Sequence, residues 1–396
     1  MSVTAPPRPQ RASDPVTHGE FEALVEALIE EARKRARRRR RRNGAVVTLV
    51  ALVGVALFAL VGRSAQSQTA SPALSARSSL AAAAASSKIA FIREPPFGGY
   101  GGVLWVMNPD GSGQRRLAPA FPGMRWSPDG QKVAYAAIVV QPDHLTSDVY
   151  VMNADGSGQR ELTPDDARES SPAWSPDGRR IAFLSSGIRV VNADGSGLRR
   201  LTREGRGTPA WSPDGRRIAF VSRRDGNLEI YVMNADGSGQ RRLTRNAVRD
   251  SDPVWSHDGR RIAFVSKWQV WAINADGSGQ RRLTRNGARN FAPAWSPDGQ
   301  RIAFERRVGR ENEKPATCRR CGTASTFQVY VMNADGSEAR MLAQDGAQPS
   351  WSPDGRKIAF EKNSDIYVIN ADGSGQRKLT GGGRRESSPV WSPAQK

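Results

Sequence analysis

The chain has 396 residues, with 59 basic against 39 acidic side chains and a formal net charge of +20. Two cysteines exclude a disulfide-built scaffold, and three histidines, His18, His144 and His257, are too few and too scattered for a multi-histidine metal centre. Lys accounts for only 9 of the basic residues, so the excess is arginine, and 39 Gly with 25 Pro suit many turns and few long helices.

Residues 1–44 read as a cytoplasmic segment. Thr17 and Glu20 fit a capping box, and Phe21, Leu24, Val25, Leu28, Ile29 and Ala32 lie on one face of an amphipathic helix. That stripe suits a partner helix or rest on a membrane surface. Nine of the ten residues 33–42 are basic, and residues 45–62 are an uncharged run of 18, long enough to cross a bilayer as a helix. The next 24 residues carry only Arg63 and Arg77. This asymmetry predicts a single-pass protein of the cell membrane, its N-terminus cytoplasmic and everything beyond residue 63 outside. The alternative is a cleaved signal peptide; the long leading segment and the length of the apolar run favour an uncleaved anchor. The arginine run is chiefly the topology signal and also rests on anionic inner-leaflet lipid. Residues 63–87, rich in Ala, Ser and Gln, form a linker.

From residue 88 to 396 the chain repeats itself. Trp-Ser-Pro-Asp-Gly begins at Trp126, Trp174, Trp211, Trp295 and Trp351, with His257 in place of Pro after Trp255 and a truncated copy at Trp391. A second element, Asn-Ala/Pro-Asp-Gly, begins at Asn108, Asn153, Asn192, Asn234, Asn274, Asn333 and Asn370. Both are hairpin sequences: Pro or Ala at the second position of a type I turn, Gly at the left-handed position. Apolar strands lie between them, Ile-Ala-Phe after the first element and Tyr-Val-Met-Asn before the second. The tryptophans recur every 37 to 56 residues, the period of four-stranded propeller blades. The predicted fold is all-β, a seven-bladed β-propeller of four-stranded antiparallel blades. Its first blade starts at the second strand with Lys88, so residues Pro389 to Pro393 must supply the missing first strand and close the ring.

These motifs resemble the TolB-type, WD-repeat-like β-propeller family of bacterial envelope proteins, over about residues 88–393. The resemblance implies the fold; the shared residues are turn and packing residues, so it implies no particular activity.

No enzyme is expected. Propellers of this type also occur in prolyl-oligopeptidase-like hydrolases, but the Gly-x-Ser-x-Gly elbow of their catalytic domain is absent. Related lyases use histidine-rich metal sites, whereas here His144 and His257 belong to opposite faces. Each Asp-Gly-Ser-Gly hairpin offers one carboxylate and reads as a turn, so no metal or cofactor is assigned. The repeat tryptophans read as blade packing. Trp105, Trp268 and Trp271 depart from the pattern, and Trp268, beside a variable loop, is a candidate contact residue. Cys318 and Cys321 form a Cys-x-x-Cys in the longest insertion, Glu305 to Gln328. A local disulfide is expected there, with redox activity or a metal shared between chains as alternatives.

A four-strand meander puts both tight hairpins of each blade on one face and both longer connections on the other. The hairpins scarcely vary; the other loops do, and loops on a rigid scaffold carry specificity. That variable face is the candidate binding surface, with Arg203, Arg206, Arg249, Trp268, Arg289, Arg384 and Arg385. Beyond residue 62, 48 basic residues stand against 33 acidic ones, the excess mostly beside the hairpins at Arg179, Arg180, Arg216, Arg217, Arg260 and Arg261. Those arginines read as a solvated edge paired with turn aspartates, or else as an attraction for anionic lipid or wall polymer. The expected function is a membrane-anchored, extracytoplasmic scaffold that binds a protein or an anionic envelope polymer, not nucleic acid. Alternatives are a transmembrane signalling protein with a propeller sensor and a tunnel-sited lyase or hydrolase.

Overall fold

Each hairpin element closes a two-strand turn, and the strands between pair in the order the repeat dictates. In blade 4, Arg206–Trp211, Arg217–Ser222, Glu229–Asn234 and Arg241–Arg242 pair antiparallel in sequence order. The computed structural model describes residues 87–94, 101–140, 145–164, 167–285, 287–308 and 326–394. These form seven four-stranded antiparallel sheets with no helix among the described residues. The propeller belongs to one compact unit, Ala70–Val139 with Thr146–Lys396; of the other, Met1–Thr69 with Val140–Leu145, only Val140 and Leu145 are described. The expected amphipathic helix, the span 45–62, and Cys318 with Cys321 lie outside the described residues.

The ring closes as the offset of the repeats requires. Glu386–Trp391 pairs antiparallel with Ile89–Arg93, so the first sheet takes its first strand from the other end of the repeat array. First strands of neighbouring blades touch all the way round, Glu386–Trp391 against Arg125–Trp126 included, which makes them the innermost strands. The two hairpins of a blade sit side by side, as when Ala235 N–H donates to the Arg216 carbonyl. The longer connections meet at the opposite end, as when Asp250 N–H donates to the Leu228 carbonyl.

Packing explains why Ile-Ala-Phe recurs. Alternate residues of a strand face opposite neighbours. Ile218 and Phe220 pack with Ala182, Val190 and Leu201 of the preceding blade, while Ala219 and Val221 receive Trp255, Ile262 and Phe264 of the next. Every blade thus offers a large face and a small face. Ile89, Phe91 and Trp391 set against Ala359, Val368 and Leu379 repeat the arrangement where blade 7 meets blade 1. All of these residues are buried, and each large side chain taken from water contributes roughly 1.5–3 kcal/mol.

The repeat tryptophan adds polar links between blades. Trp126, Trp174, Trp211, Trp255, Trp295 and Trp351 each donate the indole N–H to a carbonyl in the preceding blade's first strand, at 3.0–3.3 Å. Trp391 is the exception: its Nε1 is buried with no acceptor.

The hairpin arginines lie near enough to the turn aspartates Asp177, Asp214 and Asp258 to help hold those carboxyls low, as the sequence suggests, and they have a second engagement besides. Arg180, Arg217, Arg261 and Arg301 lie over Trp211, Trp255, Trp295 and Trp351 of the following blade, 4.9–5.1 Å from the ring centroids. On the outer strands, Arg340 donates to the carbonyls of Asp372 and Ala371 in the next blade's hairpin (3.0 and 2.7 Å), and Arg377 to that of Pro109 (3.2 Å). A planar guanidinium can stack on a ring or fork onto carbonyls, which suits both tasks and explains the preference for Arg over Lys. Much of the positive charge beside the hairpins therefore holds blades together, while Arg179, Arg216 and Arg260 remain exposed.

Candidate functional site

On the face of the longer loops, the turn of blade 5 between Arg261–Ser266 and Gln269–Asn274 consists of Lys267 and Trp268, with φ of 48° and 61°. Two positive φ values at adjacent residues make a type I′ turn, which matches the twist of a hairpin but favours Asn and Gly. Blade 7 fills the same turn with Asn363 and Ser364 (φ 51° and 68°). A Lys-Trp pair there stores strain of about 1–3 kcal/mol per residue. The strained turn leaves the Trp268 side chain 48% exposed, the most exposed large hydrophobic among the described residues.

Three side chains of blade 6 gather round it. The Arg289 guanidinium lies 5.0 Å from the Trp268 ring centroid, Phe291 meets the indole edge-on at 5.4 Å, and Phe327 meets Phe291 at 6.1 Å. Arg289 and Phe291 belong to the first strand of that blade, Arg289–Trp295; Phe327 belongs to the third, Thr326–Asn333. Register sets Arg289 opposite Arg307 and Arg307 opposite Phe327, so two arginines and then a phenylalanine follow one another across the sheet end.

Below this level the junctions between blades hold buried polar pairs. At four junctions a residue at or near the start of a third strand and one at or near the start of the next first strand stand 21 positions apart, all but the half-buried Asp365 being buried: Asp148 with Glu169, Glu229 with Asp250, Gln269 with Asn290, and Asp365 with Glu386. Where the pair is acidic, a cation meets it. Glu169 bonds Arg189 at 3.0 Å, Glu229 bonds Arg242 at 2.8 Å, and Glu386 bonds Arg93 at 2.5 Å. Burial pushes the Asp250 carboxyl up, hydrogen bonds oppose this, and the Glu229 charge adds to the rise. Beneath Trp268 the pair is the neutral Gln269 and Asn290, joined at 3.2 Å.

The innermost strands carry a further feature. Three residues before the repeat tryptophan the backbone enters the left-handed region at Ser171, Asp252, Ala292, Gln348 and Ser388, and pairing with the second strand shifts there. These bulges face the axis. Gln348 N–H donates to Glu305 Oε1 at 2.6 Å, and Ser388 N–H to Gln348 Oε1 at 2.5 Å, linking blades 6, 7 and 1. Burial, reinforced by the nearby Asp252 and Glu361 charges and opposed by the Gln348 bond, pushes the Glu305 carboxyl up to about 7. Asp252 is also raised by its enclosure, although water still reaches it.

The seven residues named from sequence do not form one patch. Trp268 and Arg289 are brought together. Arg203 lines a separate cleft of about 520 Å³ with Leu201, Thr202, Glu204, Arg224 and Gln240. Arg385 faces Glu94 and Glu361 at 3.6 and 3.8 Å, while Arg206, at the start of its strand, and Arg249 and Arg384, on their own loops, are exposed. Trp105 and Trp271 take the place of the usual third-strand Tyr and pack there; Trp105 underlies Arg93 at 4.1 Å. Phe291 and Phe327 escaped sequence reasoning, because nothing in their spacing marks an edge-to-face pair. The polar pairs carried a legible signal, their constant spacing of 21. Among the described residues no three His, Cys, Asp or Glu side chains are grouped to hold a metal ion.

Residues 203–319 match the TolB β-propeller domain model, and residues 308–389 match the model of the dipeptidyl peptidase IV N-terminal region. No curated protein matches the sequence. Among solved structures, TolB from Acinetobacter baumannii is 19% identical over 77% of this chain and 82% of its own, with a TM-score of 0.49. An oligogalacturonate lyase in complex with manganese is 14% identical over 73% of this chain and 84% of its own (TM-score 0.52). The oligogalacturonate lyase from Vibrio parahaemolyticus is 15% identical with the same coverage and TM-score. At such identities the likeness is one of fold.

Proposed function

We propose, from a propeller whose repeats are of the TolB type, that this chain is a non-enzymatic binding scaffold working through the face of its longer loops. The observation that carries the reading is the contrast between the two faces. Arginines beside the hairpins staple blade to blade, whereas the opposite face displays a strained, half-exposed Trp268 under Arg289. Strain kept at an exposed aromatic is the mark of a contact residue rather than a packing residue. The reading extends to place: residues 1–44 cytoplasmic, 45–62 spanning the membrane, 63–87 a spacer, and the propeller outside, supported by the charge asymmetry about the apolar run.

A photo-crosslinking residue at position 267 in intact cells tests this. It should capture an extracytoplasmic component that the same residue at position 216, on the hairpin face, does not. Capture from position 216 alone would overturn the assignment of the face, and a cytosolic location for a C-terminal reporter would overturn the topology.

One observation favours a second reading, a tunnel-sited lyase or hydrolase. A carboxyl titrating near neutrality beside a second raised carboxyl, Glu305 with Asp252, is suited to general acid-base work. A turnover on polysaccharide or peptide substrates abolished by Glu305→Gln would establish it; none across such a screen would leave the scaffold.

A further inference from the structure

We propose that the hairpin face of the propeller docks on a bilayer of anionic phospholipid through Arg179, Arg216, Arg260 and Arg356. This orientation rests on the reading of residues 45–62 as a membrane anchor and adds which face is turned to the lipid. The described chain enters the ring at that face. In a complete blade the first hairpin is closed by a reciprocal pair of bonds: Ser212 N–H donates to the Arg217 carbonyl, and Arg217 N–H to Ser212 Oγ, both at 2.9 Å. Blade 1 has the same pair without the hairpin, from Ser392 N–H to the Lys88 carbonyl and from Lys88 N–H to Ser392 Oγ, both at 2.8 Å. Lys88 therefore stands where a hairpin would end, beside the innermost strands. Residues 63–87 lead from the apolar run to that point, and a coil of that length averages about 25–30 Å from end to end. A six-residue strand alone spans about 20 Å, so a tether of this reach favours the hairpin face over a route round the rim to the loop face.

The same inner hairpins carry the charge. In blades 3, 4, 5 and 7 one turn aspartate stands against two cations, as Asp214 does against Arg216 and Arg217. The aspartate is taken up by its own turn, where Asp214 Oδ1 accepts from the Ser212 hydroxyl (2.5 Å) and from Arg216 N–H (3.1 Å). In blades 3 to 5 the second cation is stacked on the next blade's tryptophan. The first is left over. Arg179, Arg216, Arg260 and Arg356 are exposed, and their guanidinium groups make no hydrogen bond or ion pair among the described residues. Each has the same backbone place, its N–H on the turn aspartate and its carbonyl receiving the alanine N–H of the neighbouring hairpin, so the four stand at one level of the ring. Cations held at one level suit a plane of phosphates. Each basic residue near an anionic surface strengthens attachment by about fivefold, so four act together by several hundredfold on a chain already tethered there.

The test places the full-length protein in nanodiscs of phosphatidylcholine, with or without phosphatidylglycerol, and a photo-crosslinking residue at position 300. Gln300 is exposed and neutral, and fills in blade 6 the place that Arg216 fills in blade 4. Lipid adducts should form there with phosphatidylglycerol present, fall by about tenfold or more without it, and stay near background from position 267 on the loop face. Arg179→Gln, Arg216→Gln, Arg260→Gln and Arg356→Gln together should cut the adducts by about tenfold or more, and raised salt should do the same. The four Arg→Lys changes should preserve them, since a lipid surface reads the charge and not the planar fork. Thermal unfolding of each variant separates lost docking from lost folding. Adducts at position 300 indifferent to both lipid charge and the four glutamines would overturn the docking, as would adducts concentrated at position 267. So would capture of a wall polymer or a protein, and no lipid, from position 300 in intact cells. A cytosolic C-terminal reporter removes the anchor topology and this orientation with it; a reporter outside the membrane, with no lipid dependence at position 300, removes the orientation alone.

Discussion

Trp211 and Trp391 hold the same place in their blades, yet only the first finds an acceptor for its indole N–H, the Ala173 carbonyl at 3.1 Å. A buried acceptor stripped of its donor costs about 1–3 kcal/mol, whereas removing a donor that was already alone costs nothing on that account. Trp211→Phe should therefore lower the urea midpoint distinctly more than Trp391→Phe, and equal losses would show that the hydrogen bond contributes little. Arg180 over Trp211 should widen the gap, since no cation is stacked on Trp391 among the described residues. Glu305 gives the second test at this scale. Its folded pKa of about 7 lies above the ordinary carboxyl value of 4.5, so the folded state holds the proton longer than the unfolded chain. Stability from this group is complete below about pH 4.5 and is lost as the pH rises through about 7, up to ~3 kcal/mol in all. Glu305→Gln, which can still accept from Gln348, should flatten that decline in unfolding measured between pH 4 and 8.

The length of the outermost strand is decided by one hydroxyl. In five blades a Thr follows the last Leu, and its Oγ1 accepts the third strand's N–H at 2.9–3.0 Å, as Thr244 does for Ile230. The side chain takes the donor that the next backbone carbonyl would need, and the strand stops after two residues, Arg241–Arg242. Ala118 and Ala343 stand in that position in blades 1 and 6, and there the strands continue as Arg115–Ala120 and Arg340–Ala343. Thr244→Val, which cannot accept, should expose the Ile230 amide to faster hydrogen exchange and cost about 1 kcal/mol. Unchanged exchange at Ile230 would refute this account. Turns and strands were legible in the sequence because Pro, Gly and the apolar triplets act locally. The left-handed residues of the inner strands were not: Ala292 and Gln348 have no preference for that conformation, which the crowded ring imposes. For the same reason Trp268 and Arg289 could be named separately from sequence, while their contact, and the two phenylalanines, depend on how neighbouring blades meet.

Blade number and ring closure followed from counting, because a four-stranded sheet lacking its inner strand at one end of the array and an orphan strand at the other admit one economical solution. The large-on-small packing then makes each blade depend on both neighbours, with blade 1 leaning on blade 7 through Trp391 and Phe91 against Ala359 and Leu379. Deleting residues 386–396 should remove the inner strand of blade 1 and its contacts to blade 7 together. Limited proteolysis should then cut within the first blade, and unfolding should lose its single transition. A truncated chain that resisted protease as the intact one does would contradict the closure described.

Because the strand that completes the first sheet is the last of the array to be made, a nascent chain must carry an unsatisfied edge at Ile89–Arg93 through the synthesis of the six blades that follow it. Such an edge invites pairing with other chains, so its protection until Glu386–Trp391 arrives falls to chaperones or to speed. The same delay acts as an inspection: a polypeptide shortened by a premature stop never seals, and is left in a form that proteases can recognise.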